Sequence, residues 1–218
     1  MDLQEIKEQG DTLRRSCNYE EALKVYKLGA DGECQYQIGQ CFAYLGNHED
    51  AAKAYKLSSD NGFEDAHLLL AHAYSLGKVV KQDLVEARRL YSLCFLPKAQ
   101  YNLGKCFENG WGGKKNLKQA FELYMKAALE GDTESQFAAG RCFANGRGVR
   151  KNLEEAVRLY TVASDDGYCQ HAQFALGECY RLGKGVEKDI VEAVRLYKQS
   201  AGQGHFEAIE KLKKIKRL

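Results

Sequence analysis

Pro97 is the single proline among 218 residues. Proline interrupts helices and populates irregular loops, so its near absence excludes a loop-dominated chain and favours continuous helix. No apolar run reaches the ~18 residues that a membrane-crossing helix requires. The opening "MDLQEIKEQG" is acidic and lacks an apolar centre, so it does not read as a secretory signal. Charge of one sign is also missing. The net charge of +2 excludes a bulk polycation of the kind that coats nucleic acid. No Pro/Ser-rich linker or low-complexity tract marks a domain boundary. The 44% hydrophobic and 28% charged residues that remain are those of an ordinary globular chain.

An internal repeat is present instead. Small residues recur at Gly10, Gly39, Ala71, Gly104, Gly140 and Gly177. Three positions after each comes a large apolar or aromatic residue: Leu13, Phe42, Tyr74, Phe107, Phe143 and Tyr180. Later in each unit stand Ala22, Ala51, Ala87, Ala120, Ala156 and Ala193, followed at the fourth position by Tyr26, Tyr55, Tyr91, Tyr124, Tyr160 and Tyr197. Ala and Tyr at i and i+4 share one helix face. Each unit therefore predicts a helix A carrying the small residue and a helix B carrying Ala and Tyr. Gly46, Gly77, Gly110, Gly146 and Gly183 are placed to end helix A in a left-handed conformation. Capping boxes are expected to open helix B at Asn18, Asn47, Asp83, Asn116, Asn152 and Asp189, with Glu21, Asp50, Glu86, Gln119, Glu155 and Glu192 as the third-position partners.

The repeat disposes of a nucleotide site. "NGRGVRKN" looks like a phosphate-binding turn, but it recurs as "NGWGGKKN", "LGKVVKQD" and "LGKGVEKD" and never matches G-x-x-x-x-G-K-[ST]. It reads as the turn between paired helices.

Units three to six resemble Sel1-like repeats. The residues that carry the resemblance are Ala172 to Tyr180, then "LGKGVEKD" and "EAVRLYKQSAGQGHFEA". Units one and two, with turns four residues shorter, are similar to plain tetratricopeptide repeats in "GDTLRRSCNYEEALKVY" and "GQCFAYLGNHEDAAKAY". The resemblance implies an all-α, right-handed α-α superhelix of six helix-turn-helix repeats. They run over 1–31, 32–62, 63–97, 98–133, 134–170 and 171–204 as a single solenoid domain, 1–218. A capping helix over 205–218 is expected from Ile209, Leu212, Ile215 and Leu218. "YSLCFLPKA" shortens the third link, so Pro97 should open the next helix, with a local change of twist there. The family implies scaffold and adaptor proteins that hold other proteins together.

Other candidate chemistry has a structural reading. Cys41, Cys106, Cys142 and Cys179 each fall two residues after the small residue, as buried packing groups in separate units. Cys17, Cys34, Cys94 and Cys169 follow no pattern, and one bond among them stays open. A secreted, cysteine-rich branch of the family pairs cysteines within each unit, and this chain lacks that pattern. Free thiols, no disulfide and a cytoplasmic location are therefore expected. His67 and His72 are five apart on one helix and no zinc spacing occurs, so no metal and no cofactor is expected. Ser75-Leu-Gly-Lys78 and Ser59-Asp60-Asn61 imitate motifs of penicillin-recognising enzymes, but in reversed order and at ordinary helix ends. The last eight residues hold five basic side chains, which suit a helix C-terminus.

In tetratricopeptide-like superhelices helix A lines the concave groove. Positions three before, one after and four after the small residue should form one stripe, from Lys7, Asp11 and Arg14 in unit one to Leu68, His72 and Ser75 in unit three. The candidate partner-binding residues are Tyr36, Gln40, Tyr101, Lys105, Phe137, Arg141, Phe174, Glu178 and Arg181. Aromatics beside cations suit a peptide or helix with apolar and acidic side chains, and mixed signs argue against nucleic acid. The favoured reading is a non-catalytic, monomeric scaffold that binds another protein and has no catalytic residues. One alternative is a small-molecule-binding or hydrolytic enzyme with its site at the irregular third-repeat joint. A second is a membrane-surface adaptor acting through the basic tail.

Overall fold

The computed structural model describes residues 1–77, 80–165 and 169–215. Thirteen helices and no strand occur among them. They are α1 (Leu3–Arg15), α2 (Tyr19–Tyr26), α3 (Gly32–Tyr44), α4 (His48–Asp60), α5 (Glu64–Leu76), α6 (Leu84–Leu93) and α7 (Pro97–Asn109). They continue as α8 (Leu117–Leu129), α9 (Thr133–Asn145), α10 (Leu153–Asp165), α11 (Gln170–Leu182), α12 (Ile190–Gly202) and α13 (Phe206–Ile215). Odd-numbered helices from α1 to α11 are the A helices, and even-numbered ones the B helices. Pro97 stands at the first position of α7, where its missing N–H costs nothing. Leu218, expected on the capping helix, lies outside the described residues.

The template positions turn out to be one contact. A Cβ added to Gly10, Gly39, Gly104, Gly140 or Gly177 would lie 2.4–2.8 Å from the ring of Tyr26, Tyr55, Tyr124, Tyr160 or Tyr197 respectively. At these five positions helix A carries glycine because the helix-B tyrosine ring occupies the space a Cβ would take. Tyr26, Tyr124 and Tyr197 are fully buried, as are Ala22 and Ala120 beside them. Burial of a ring this size contributes about 2–3 kcal/mol.

A single hydrogen bond closes every helix pair. The N–H of the residue that opens helix B donates to the carbonyl of the large residue on helix A: Asn18 to Leu13, Asn47 to Phe42, Asp83 to Tyr74, Asn116 to Phe107, Asn152 to Phe143 and Asp189 to Tyr180, at 2.8–3.0 Å. This corrects the capping boxes. Asn47, Asp83, Asn116, Asn152 and Asp189 do accept from first-turn amides. The reciprocal bond is not made at these helices, because the cap's own N–H is already used. Glu86, Glu155 and Glu192 instead pair with Arg89, Arg158 and Arg195 three residues on. Asn18, which is exposed, makes no side-chain cap bond at all. A full box forms at α1, between Asp2 and Glu5.

Gly46, Gly77, Gly110, Gly146 and Gly183 all have φ between 64° and 79°. In the first repeat the equivalent residue is Cys17, at φ 60°. The second glycine of the longer turns has a different task. Gly148 and Gly185 bring their Cα so close to the preceding helix B that a Cβ would meet the carbonyl oxygens of Leu117 and Leu153 at 2.0 and 2.3 Å.

The helices gather into two compact units, Met1–Ala99 with Trp111–Gly113, and Gln100–Gly110 with Lys114–Leu218. The core of the first includes Ile6, Leu23, Tyr26, Cys34, Ile38 and Cys41. That of the second includes Tyr124, Cys142, Leu159, Tyr160, Leu176, Leu196 and Tyr197.

Candidate functional site

Spacings of four and three residues put the candidate side chains on one face of each A helix. In the first unit Tyr36 of α3 packs on Tyr55 of its own repeat, ring centroids 5.8 Å apart, and on Phe63 ahead of α5, at 5.1 Å. Gln40 donates its amide to the Tyr36 hydroxyl at 3.0 Å. In the second unit the same aromatic position repeats this packing. Tyr101 lies 5.8 Å from Tyr124, Phe137 5.7 Å from Tyr160, and Phe174 5.7 Å from Tyr197. These rings are half-buried. Phe137 also stacks on His171, at 5.9 Å, and Phe174 on His205, at 4.8 Å, so each ring ties its helix to its neighbours and keeps only part of its surface exposed.

Cations sit over two of the rings. Lys105 Nζ is 5.3 Å from the centre of Tyr101, and the Arg141 guanidinium is 5.9 Å from that of Phe137. Such contacts add about 0.5–1 kcal/mol at exposed sites. They also hold the cation above an apolar surface, where a carboxylate next to an apolar side chain is well matched.

Glu178 and Arg181 have other work. Arg181 donates to both Glu178 oxygens, at 3.1 and 2.6 Å. The Tyr197 hydroxyl donates to the same carboxylate, and Lys211 of α13 reaches it at 2.9 Å. Burial alone would raise this carboxyl, but Arg181, Tyr197 and Lys211 together hold it down to about 2. The same clasp appears twice more. Tyr124 donates to Glu108 at 2.8 Å, with Arg147 at 2.9 Å and Arg141 at 3.6 Å. Tyr26 donates to Asp11 at 2.6 Å, with Arg14 at 3.7 Å. These clasps escape a reading of the sequence because the carboxylate comes from the position one after the small residue in two repeats and four after it in the other. The available signal is a helix-B tyrosine with an acid at either position.

The remaining candidates are accounted for by packing. Burial pushes the Cys142 thiol up to about 11 and that of Cys34 to about 12; Cys41 and Cys179 are raised for the same reason. These thiols are protonated at neutral pH and are poor nucleophiles. Ser75 donates to the His72 carbonyl, as a helix-end serine does, and Lys78 lies outside the described residues. Among the described residues no three His, Cys, Asp or Glu side chains converge as a metal site, and no helix is long and apolar enough to cross a membrane. In the basic tail Lys211 is held by Glu178 and Lys213 by Glu210; Lys216 and Arg217 lie outside the described residues.

Paired A and B helices, a small residue under a tyrosine and a glycine-closed turn define an all-α helical-repeat protein. Residues 64–93, 97–132, 133–168 and 170–205 each match the Sel1 repeat, and the chain belongs to the Sel1 repeat family. Residues 33–57 match the tetratricopeptide repeat. The structure is similar to that of a Sel1 repeat protein from Oxalobacter formigenes, with 27% identity and a TM-score of 0.84 over 94% of this chain and 85% of that one. It is also similar to c5321, a protective antigen of uropathogenic Escherichia coli with an SLR fold, at 24% identity and a TM-score of 0.65. That match covers 86% of this chain and 49% of the antigen. A Sel1 repeat protein of Klebsiella pneumoniae aligns at 20% identity and a TM-score of 0.55, over 91% and 98% of the two chains. Repeat folds of this kind are typical of protein–protein interaction scaffolds, and their stacked helices present extended binding surfaces.

Proposed function

We propose that this protein is a non-catalytic scaffold that binds a peptide or helix of another protein along its helix-A face. The observation that carries the reading is the pairing of half-buried rings with cations, Lys105 over Tyr101 and Arg141 over Phe137. An apolar and acidic segment fits such a surface, because its apolar side chains cover ring edges while its carboxylates meet the cations. The surface is built before the partner arrives, so little ordering cost falls on this side. In the second unit Phe174 extends this face and Glu178 with Arg181 fixes its shape; in the first unit Tyr36 and Gln40 hold the corresponding positions on α3. A cytoplasmic, monomeric scaffold with its repeats acting as one solenoid goes with this reading, as do the buried thiols of Cys34, Cys41 and Cys142.

The test is affinity capture with wild type and with Phe137→Ala/Arg141→Glu, each checked first for folding by circular dichroism. The expected outcome is a stoichiometric protein partner lost from the variant. Equal recovery with both forms would remove the binding surface from this face.

A further inference from the structure

The first unit contains a cavity of about 280 Å³ between α3, α4 and α5, walled by alanines, Leu69, Leu70 and Tyr55, with Gln40 and His48 as its polar lining. Ala43, Ala52 and Ala73 are each partly exposed, so it opens to solvent. The repeat explains why the space exists. Ala52 holds the position that Phe121 holds in the fourth repeat, where the ring packs edge-on against Phe143 at 5.1 Å. Ala43 holds the position of Glu108, whose carboxylate fills the space beside Tyr124. Two large side chains of the fourth repeat are thus methyl groups in the second.

The polar side of the cavity is incomplete in the same way. The hydroxyls of Tyr26, Tyr124 and Tyr197 each donate to a carboxylate. The Tyr55 hydroxyl has no hydrogen-bond partner among the described residues, since Ala43 offers none and the Gln40 amide is turned to Tyr36.

We propose that this cavity is the anchoring pocket for one aromatic side chain of the partner, a phenylalanine, with Tyr55 donating to the adjoining peptide carbonyl. The chain's own Phe121 is the template for the ring. Size agrees: an apolar cavity of about 150 Å³ already takes benzene, whereas sites for whole small molecules start near 300 Å³. The proposal rests on the scaffold reading, but its test does not share that reading's fate, because the pocket is probed without the partner.

Protein with labelled alanine methyl groups is titrated with N-acetyl-phenylalanine amide and followed by NMR. The expected result is a shift of the Ala43, Ala52 and Ala73 methyl signals, with a dissociation constant on the order of 1 mM. Ala52→Phe fills the cavity from α4 and Ala43→Leu from α3. Either should weaken the probe at least about tenfold while keeping the melting temperature, and Tyr55→Phe should weaken it several-fold. No methyl shift up to the solubility limit overturns the proposal. So does unchanged binding in both filled variants, and so does equal binding of N-acetyl-leucine amide. If the probe binds but Phe137→Ala/Arg141→Glu still captures the partner, the pocket stands and the helix-A reading of the second unit falls. If the variant loses the partner and the probe does not bind, the reverse holds.

Discussion

At the scale of single residues, the small position and the tyrosine are each legible in the sequence, but their contact is not. Periodicity shows that Gly140 and Tyr160 recur together. It does not show that the ring lies on the glycine, because sequence spacing says nothing of which neighbour a ring covers. The contact makes an unusual prediction. Gly140→Ala would ordinarily favour a helix, but here the added methyl meets Tyr160 at 2.6 Å. It should destabilise by about 1–3 kcal/mol in urea unfolding. Gly202→Ala, also in a helix, has nothing within 4 Å and should stabilise by about 0.5–1 kcal/mol. Cys17 supplies a second test. It sits at φ 60° where later repeats carry glycine, so Cys17→Gly should raise stability by about 1 kcal/mol. A loss of stability would show that the left-handed turn costs Cys17 nothing.

At the scale of elements, helices and their ends follow from pattern, whereas the hydrogen bonds at those ends depend on what else competes for each donor. The box motif correctly marks where helix B starts. It misplaces half the bonds, because the N–H of Asn152 is held by the Phe143 carbonyl. Asn152→Ala should therefore cost about 1 kcal/mol, and Asn18→Ala almost nothing, since Asn18 makes no cap bond. Equal losses in thermal melts of the two variants would refute this. The carboxylate clasps were hidden for a related reason: each joins a tyrosine to an acid 15 to 19 residues away, and either of two positions can supply the acid.

At the scale of the whole molecule, acid sensitivity follows from the charge pattern. His205 is buried and lies 3.1 Å from His171, and its Nδ1 accepts the Ala208 N–H at the start of α13. Burial and then the neighbouring His171 lower its affinity for a proton, opposed by Glu207. The folded form thus binds the proton less well than the unfolded chain. Its contribution is complete above about pH 6.5, the ordinary histidine value, and is lost as pH falls below that. The Glu178 carboxyl, held near 2, adds a later loss as pH drops from about 4.5 toward 2. Melting temperature should therefore be level between about pH 7 and 8 and fall in two stages below that range, and His205→Gln should remove the first. A single fall below pH 5 in wild type would rule out the histidine step. One bond has a broader consequence. The cap-to-carbonyl contact spans five residues from Phe42 to Asn47 and nine from Phe143 to Asn152, at 2.9 and 3.0 Å. What lies between its ends is free to change length, and loop entropy grows only slowly as it does. Around Gly46 a side chain would meet nothing within 4 Å. The turn of the second repeat is thus a port at which the chain can carry a foreign peptide, a tag or a fluorophore while the helices it joins keep their places.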